Sequence, residues 1–96
     1  MTITDKMHRG RFEQVVELLD AINSYPDRPR YRVTGAAGLS LFRGNQLIEE
    51  LLESDFITLT YKKRYNGKYV KITAKGFQWL QNMQQLMSEV HNGNIE

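Results

Sequence analysis

The sequence contains no cysteine, and it has only two prolines and one tryptophan among its 96 residues. Without cysteine, no disulfide framework, thiol nucleophile, iron–sulfur cluster or cysteine zinc site can form, and a reducing, cytoplasmic setting is expected. No apolar run approaches the ~18 residues of a membrane span. The first residues carry charges but no apolar segment of the kind found in secretory signals. We therefore expect one cytoplasmic domain without a membrane partner.

Patterns that carry catalysis are also missing. His8 and His91 lie near opposite ends of the chain, and neither has the spacing of a metal site. Residues 35–38, Gly-Ala-Ala-Gly, are not followed by the Gly-Lys-Ser/Thr of a phosphate-binding loop. The acidic group at Glu49, Glu50 and Glu53 is expected to be a solvated helix face. We expect no enzyme activity, no cofactor and no metal.

The positive charge is concentrated in the middle of the chain. Thirteen basic and eleven acidic residues give a net charge of only +2. Residues 28–71 hold nine basic and four acidic side chains, a net +5, whereas residues 1–27 come to −2 and residues 72–96 to −1. This distribution favours a surface that binds a polyanion, with an ordinary solvated surface as the alternative.

Apolar residues at three- and four-residue steps predict helices over residues 9–24, 41–54 and 74–90. The two prolines predict a loop over residues 25–29. Residues 30–38 are expected to form one or two helical turns.

Several single residues predict where these elements begin, end or pack. Ser40 and Thr73 are expected to cap the helices that follow them, and Gly38 to take a left-handed conformation. Gly44 costs about 1 kcal/mol against alanine inside a helix, and we expect it to allow close packing on the first helix.

Asn66-Gly67 lies between two strand-like runs, which predicts a hairpin with a two-residue type I′ turn. That turn pairs Tyr61 with Ile72 and Lys62 with Lys71. Like charges directly opposite each other destabilise an isolated sheet. The pairing therefore favours contact with something anionic, with a lysine-bearing edge that blocks aggregation as the alternative.

The last helix is apolar over more than one face. One apolar face is expected to pack on the first helix and the other to pair with the same helix of a second copy. The alternative is that both faces pack within the helix's own domain. The residues expected at the dimer interface are Phe77, Trp79, Leu80, Met83, Leu86, Met87 and Val90.

Two stretches resemble a known family. The run AAGLS followed by LFRGNQLIEELLESDFI is similar to the turn and recognition helix of archaeal winged-helix transcription regulators, and YVKITAKGFQWL resembles the end of their wing and the start of their last helix. PadR-like and MarR-like regulators share this pattern. The implied fold is α+β and mostly α, a winged helix-turn-helix with a β-hairpin wing and a C-terminal dimerisation helix.

This resemblance also implies a division of the chain and a partner. Residues 1–8 would be a flexible start, residues 9–73 the winged helix-turn-helix domain, residues 74–90 the dimerisation helix and residues 91–96 a polar tail. The partner would be double-stranded DNA, bound by a homodimer acting as a regulator or an architectural protein. A protein–protein interaction module without DNA binding remains the alternative.

The implied DNA contacts fall into three sets. In the recognition helix, Arg43 would reach guanine, and Asn45 or Gln46 adenine, unless the last two merely face solvent. The start of the second helix would contact the DNA backbone, and the wing would contact phosphate or the minor groove. These contacts would come from Arg30, Arg32, Lys62, Lys63, Arg64, Lys68 and Lys71.

Overall fold

The computed structural model describes residues 10–62 and 67–93. In this part of the chain the elements are α1 (Arg11–Ser24), β1 (Arg28–Pro29), α2 (Arg30–Ala36), α3 (Leu41–Glu53), β2 (Ile57–Lys62), β3 (Gly67–Ile72) and α4 (Ala74–Gly93). None of these helices combines the length and apolar character required to span a bilayer. The flexible start predicted for residues 1–8 lies outside the described residues.

Most helix boundaries follow local signals. Gly10 is the extended N-cap of α1, so the predicted start at residue 9 is too early, and the predicted end at Ser24 is confirmed. The two-turn α2 is followed by Gly38, whose φ of 74° confirms the predicted left-handed conformation. The last helix ends at Gly93, three residues beyond the prediction.

The predicted N-caps are both present. The hydroxyl of Ser40 accepts a hydrogen bond from the Arg43 N–H at 3.1 Å, and the hydroxyl of Thr73 accepts one from the Gly76 N–H at 3.0 Å. Each cap satisfies a backbone donor that the helix itself leaves free.

A three-stranded antiparallel sheet, ordered β1-β3-β2, corrects two predictions. Residues 28–29 were expected in a loop, but they pair with β3, Arg28 opposite Val70 and Pro29 opposite Tyr69. The predicted register of the hairpin is also wrong. Tyr61 pairs with Lys68 rather than with Ile72, a difference of four residues. The turn residues 63–66 lie outside the described residues.

The register error leaves the predicted faces intact, because a shift by an even number keeps each side chain on its side of the sheet. It does separate the two lysines. Lys62 pairs with Gly67 and Lys71 with Thr58, so their Cα atoms lie roughly 13 Å apart along the strands. Repulsion between Lys62 and Lys71 therefore gives no argument for a bound polyanion.

One hydrophobic core joins all four helices to the sheet. Its residues are Val16, Leu18, Leu19, Ala21, Ile22, Val33, Ala37, Leu47, Ile48, Leu51, Ile57, Val70 and Leu80. The last helix contributes Leu80 and packs beside α1, where Phe12 meets Trp79 edge-on with ring centroids 5.8 Å apart. Burial of this apolar surface holds α3 and the hairpin in fixed positions relative to α1.

Candidate nucleic-acid interface

The helix-turn-helix unit is formed by α2, the turn around Gly38, and α3. A Cβ at position 44 would lie 2.2 Å from Cγ2 of Thr34, so the absence of a side chain at Gly44 lets α3 approach α2 closely. The three nearest atoms all belong to Thr34 rather than to α1, so the predicted packing partner of Gly44 is wrong. The hydroxyl of Thr34 is buried there without a hydrogen-bond partner.

The solvent face of α3 lies opposite its buried stripe of Gly44, Leu47, Ile48 and Leu51. It presents Phe42, Gln46, Glu49 and Glu53 at the three- and four-residue steps of one helix face. Phe42 is 75% exposed and Glu49 has a 63% exposed side chain. The face that would enter a groove is therefore apolar at its N-terminal end and acidic further along.

Arg43 and Asn45 lie at the flanks of that face and contact neighbouring helices. Arg43 donates from Nε to Oε1 of Gln14 in α1 at 2.8 Å and from Nη1 to Oε1 of Gln46 at 3.2 Å. Asn45 accepts a long hydrogen bond of 3.5 Å from Arg30. Arg43 would have to release Gln14 to reach a base.

Two arginines from other helices pair with the carboxylates of α3. Arg30 donates to Glu49 at 3.0 Å, and Arg11 forms an ion pair with Glu50. The predicted solvated acidic face is thus partly neutralised. Two of the three glutamates of α3 are thus paired, which lowers the repulsion that a phosphate would meet, while Glu53 forms no ion pair among the described residues.

The two arginines predicted at the start of the second helix lie on different sides of α2. Arg30 faces α3, whereas Arg32 lines an open cleft of about 240 Å³ with Tyr25, Arg28 and Ala36. Neither Arg28 nor Arg32 forms an ion pair in the described part of the chain. The adjoining cleft is lined by Glu17 and Asp20, so this basic site borders an acidic one.

The hairpin carries the remaining described cations. Lys68 lies opposite Tyr61 and Lys71 opposite Thr58, so alternation places the two lysines on opposite faces of the sheet. Both are exposed, and neither is paired with a carboxylate among the described residues. The side chain of Lys62, and all of Lys63 and Arg64, lie outside the described residues.

The seven residues predicted at a dimer interface have different surroundings. Leu80 is 1% exposed and belongs to the core, and Trp79, Met83 and Met87 pack against that core. Phe77 is 39% and Leu86 50% exposed. These two lie about 180° apart around the helix, so they flank the buried stripe on opposite sides. The side chain of Val90 lies outside the described residues.

Sequence reasoning missed several residues of this surface. Phe42 is not among the predicted site residues, although its position outside the apolar stripe of the helix indicates exposure. Arg11 contacts Glu50, 39 residues away in sequence, and Gln14 contacts Arg43, 29 residues away. No local sequence pattern predicts such contacts. Tyr25 lines the cleft with Arg28 and Arg32, although it lies outside the predicted basic segment.

No group of three or more metal-ligating side chains is assembled within residues 10–62 and 67–93. Of the two histidines, His8 lies outside this part and the side chain of His91 is not described.

Comparison with solved structures identifies the fold. A MarR family transcriptional regulator from Silicibacter pomeroyi superposes with a TM-score of 0.71 at 14% identity, over 81% of this chain and 53% of that one. Streptococcus pneumoniae FabT, solved in complex with DNA, gives 0.70 at 14% identity, over 97% and 68%. Sso10a-2, a DNA-binding protein from Sulfolobus solfataricus, gives 0.67 at 18% identity, over 90% of both chains. The chain has a winged-helix fold.

In this winged-helix fold, α3 is the second helix of the helix-turn-helix unit and β2–β3 is the hairpin that follows it. No protein-family model matches the sequence, and no curated protein matches it significantly. The chain spans about half the length of the Silicibacter regulator and nine tenths of Sso10a-2.

Proposed function

We propose that this winged helix binds double-stranded DNA as a transcription regulator or architectural protein. The observation that carries the proposal is the division of its charges. Two of the three carboxylates of the recognition helix, Glu49 and Glu50, pair with arginines, whereas Arg28, Arg32, Lys68 and Lys71 form no ion pair with a carboxylate in the described part of the chain. Free cations around a partly neutralised helix can bind phosphate while the helix enters a groove. The DNA-bound FabT and the DNA-binding Sso10a-2 share this fold.

The cations have separate roles in this proposal. The wing contributes Lys68 and Lys71, together with Lys62, Lys63 and Arg64, which precede them in sequence. Arg28 and Arg32 contact the phosphate backbone of the DNA beside the groove. Arg30 instead positions the recognition helix through Glu49 and Asn45. These phosphate contacts carry no sequence information, so base readout depends on the first turns of α3.

Salt dependence tests the phosphate contacts. The four described cations alone contribute about −3.6 per protomer to the slope of log K against log salt, at about −0.9 per phosphate contact. The double variant Lys68→Ala/Lys71→Ala should reduce the magnitude of the slope by about 1.8, because two of these contacts are lost. Fluorescence anisotropy on a random-sequence duplex between about 50 and 200 mM salt measures both values.

Lys75→Ala is the matched control, because the ammonium group of Lys75 lies 5.6 Å from the ring centroid of Phe56 at the start of α4 and is not one of the four cations counted above. It should leave the slope unchanged. An equal slope for wild type and the double variant would remove the wing strands from the mechanism, and an affinity that does not respond to salt would contradict DNA binding.

We also propose that two copies associate through α4. Trp79, Met83 and Leu86 lie on one side of this helix, the first two are partly exposed, and Leu86 is half exposed. A second α4 would cover this row. Sedimentation of Leu86→Lys should show a monomer, whereas Phe77→Lys, on the opposite flank, should remain a dimer. A monomeric wild type at high micromolar concentration would contradict the proposal.

The second candidate is a protein-interaction module that uses the exposed face of α3. Its support is the combination of Phe42 with Glu49 and Glu53 on one helix face. In that case the wing variants would leave partner binding intact, and no duplex would bind in the anisotropy measurement.

A further inference from the structure

Phe42 is the most exposed large apolar side chain in the described part of the molecule. It is the second residue of α3, and the Ser40 cap fixes the helix start immediately before it. The core is filled from the opposite side of α3, so Phe42 contributes nothing to internal packing. Its ring projects from the turn of a recognition helix that meets base edges.

A hydrogen-bond donor lies one helical turn further along the same face. Gln46 is exposed, and its Oε1 already accepts from Arg43, so its amide NH₂ group remains available to an outside acceptor. Residues four apart on a helix are neighbours, with Cβ atoms about 6 Å apart. The surface therefore places an apolar ring next to a donor.

This combination matches one base in the major groove. Thymine alone presents a methyl group, and its O4 beside that methyl is an acceptor. Adenine presents an acceptor and a donor without a methyl group, and the two bases of a G·C pair offer no apolar group. Glu53, which forms no ion pair among the described residues, lies further along the same face and disfavours deep entry of that part, which leaves the Phe42 end to approach the bases.

We propose that Phe42 is a specificity-determining residue that contacts the C5 methyl group of thymine, with Gln46 donating to the neighbouring O4. This inference rests on the proposed DNA binding. It predicts that the chain distinguishes thymine from uracil within DNA, since the two bases differ only by that methyl group.

The test uses two short duplexes, alternating d(AT) and the same duplex with deoxyuridine in place of thymidine. Wild type should bind the uracil duplex about fourfold more weakly, the factor expected for one buried methyl group. Phe42→Ala should bind both duplexes equally, and Phe42→Leu should keep most of the difference. An alternating d(GC) duplex measures the methyl-independent affinity, which Phe42→Ala should leave within about twofold.

Leu41→Ala is the matched control, because Leu41 is the adjacent exposed apolar residue and points about 100° away around the helix. It should keep the fourfold difference. Equal binding of the two A·T-type duplexes by wild type would overturn the role of Phe42 while leaving DNA binding intact. Absence of binding to all three duplexes would overturn DNA binding itself. A loss of discrimination in Leu41→Ala equal to that in Phe42→Ala would overturn the assignment to Phe42.

Discussion

Replacing Gly44 by alanine is expected to destabilise the domain, although alanine is the better helix former. A Cβ at this position would lie 2.2 Å from Cγ2, 2.5 Å from Oγ1 and 2.8 Å from Cβ of Thr34. Rotation of the Thr34 side chain moves the first two atoms but not its Cβ. The helices α2 and α3 must therefore move apart at the centre of the helix-turn-helix unit.

The size of the effect follows from two opposing terms. Overpacking of this kind costs about 1–3 kcal/mol, and the upper end applies because backbone must shift. The higher helix propensity of alanine offsets about 1 kcal/mol of this cost. The net loss is about 2 kcal/mol in the free energy of unfolding, which lowers Tm by about 10 °C for a chain of this size.

Urea unfolding followed by circular dichroism measures this loss, provided the m-value is unchanged. Gly35→Ala is the matched control, since a Cβ there meets nothing within 4 Å and the residue is an exposed position of α2. It should be stabilised by about 0.5–1 kcal/mol. A Gly44→Ala variant as stable as wild type would refute the close approach of the two helices.

Three further substitutions test other contacts by the same unfolding measurement. Thr34→Val removes a buried hydroxyl that has no partner and should stabilise by about 1 kcal/mol; a loss would reveal a partner for that hydroxyl. Gly76→Ala places a Cβ 2.1 Å from the Phe56 carbonyl oxygen and should cost about 3 kcal/mol; a neutral result would contradict this packing. Thr73→Ala should cost about 1–2 kcal/mol, and Thr73→Ser should recover most of it; equal losses in both would exclude the cap.

The helices were predictable because their signals are local. Ser40 and Thr73 act on backbone groups three residues away, and Gly38 relieves strain within its own residue. The resemblance then implied how these elements assemble, and the structure confirms the mostly helical winged-helix architecture.

The hairpin shows where local signals mislead. Asn66-Gly67 is a strong turn signal, yet β3 begins at Gly67 and Lys62 is its partner, so the connection is longer than two residues. The core sets this register by placing Ile57 and Leu59 opposite Ile72 and Val70. Burial of four apolar side chains outweighs the preference of a single turn.

The candidate site was less predictable because its contacts join distant parts of the chain. The distribution of charge along the sequence indicates a basic middle. It does not show that Arg30 pairs with Glu49 of α3 while Arg32 lines the cleft on the other side of α2. Both arginines belong to the same seven-residue helix. Their different roles depend on which helix lies on each side of α2, and this is decided by tertiary packing.

The junction around Thr73 fixes the direction in which α4 leaves the domain. Its N–H donates to the Phe56 carbonyl at 3.0 Å and its hydroxyl to the Asp55 carbonyl at 2.7 Å, so two hydrogen bonds tie the segment between α3 and β2 to the start of α4. In a homodimer formed through α4, this joint would set the distance between the two recognition helices. An operator for such a dimer would tolerate little change in the number of base pairs between its half-sites, because the protein has no hinge there to absorb it.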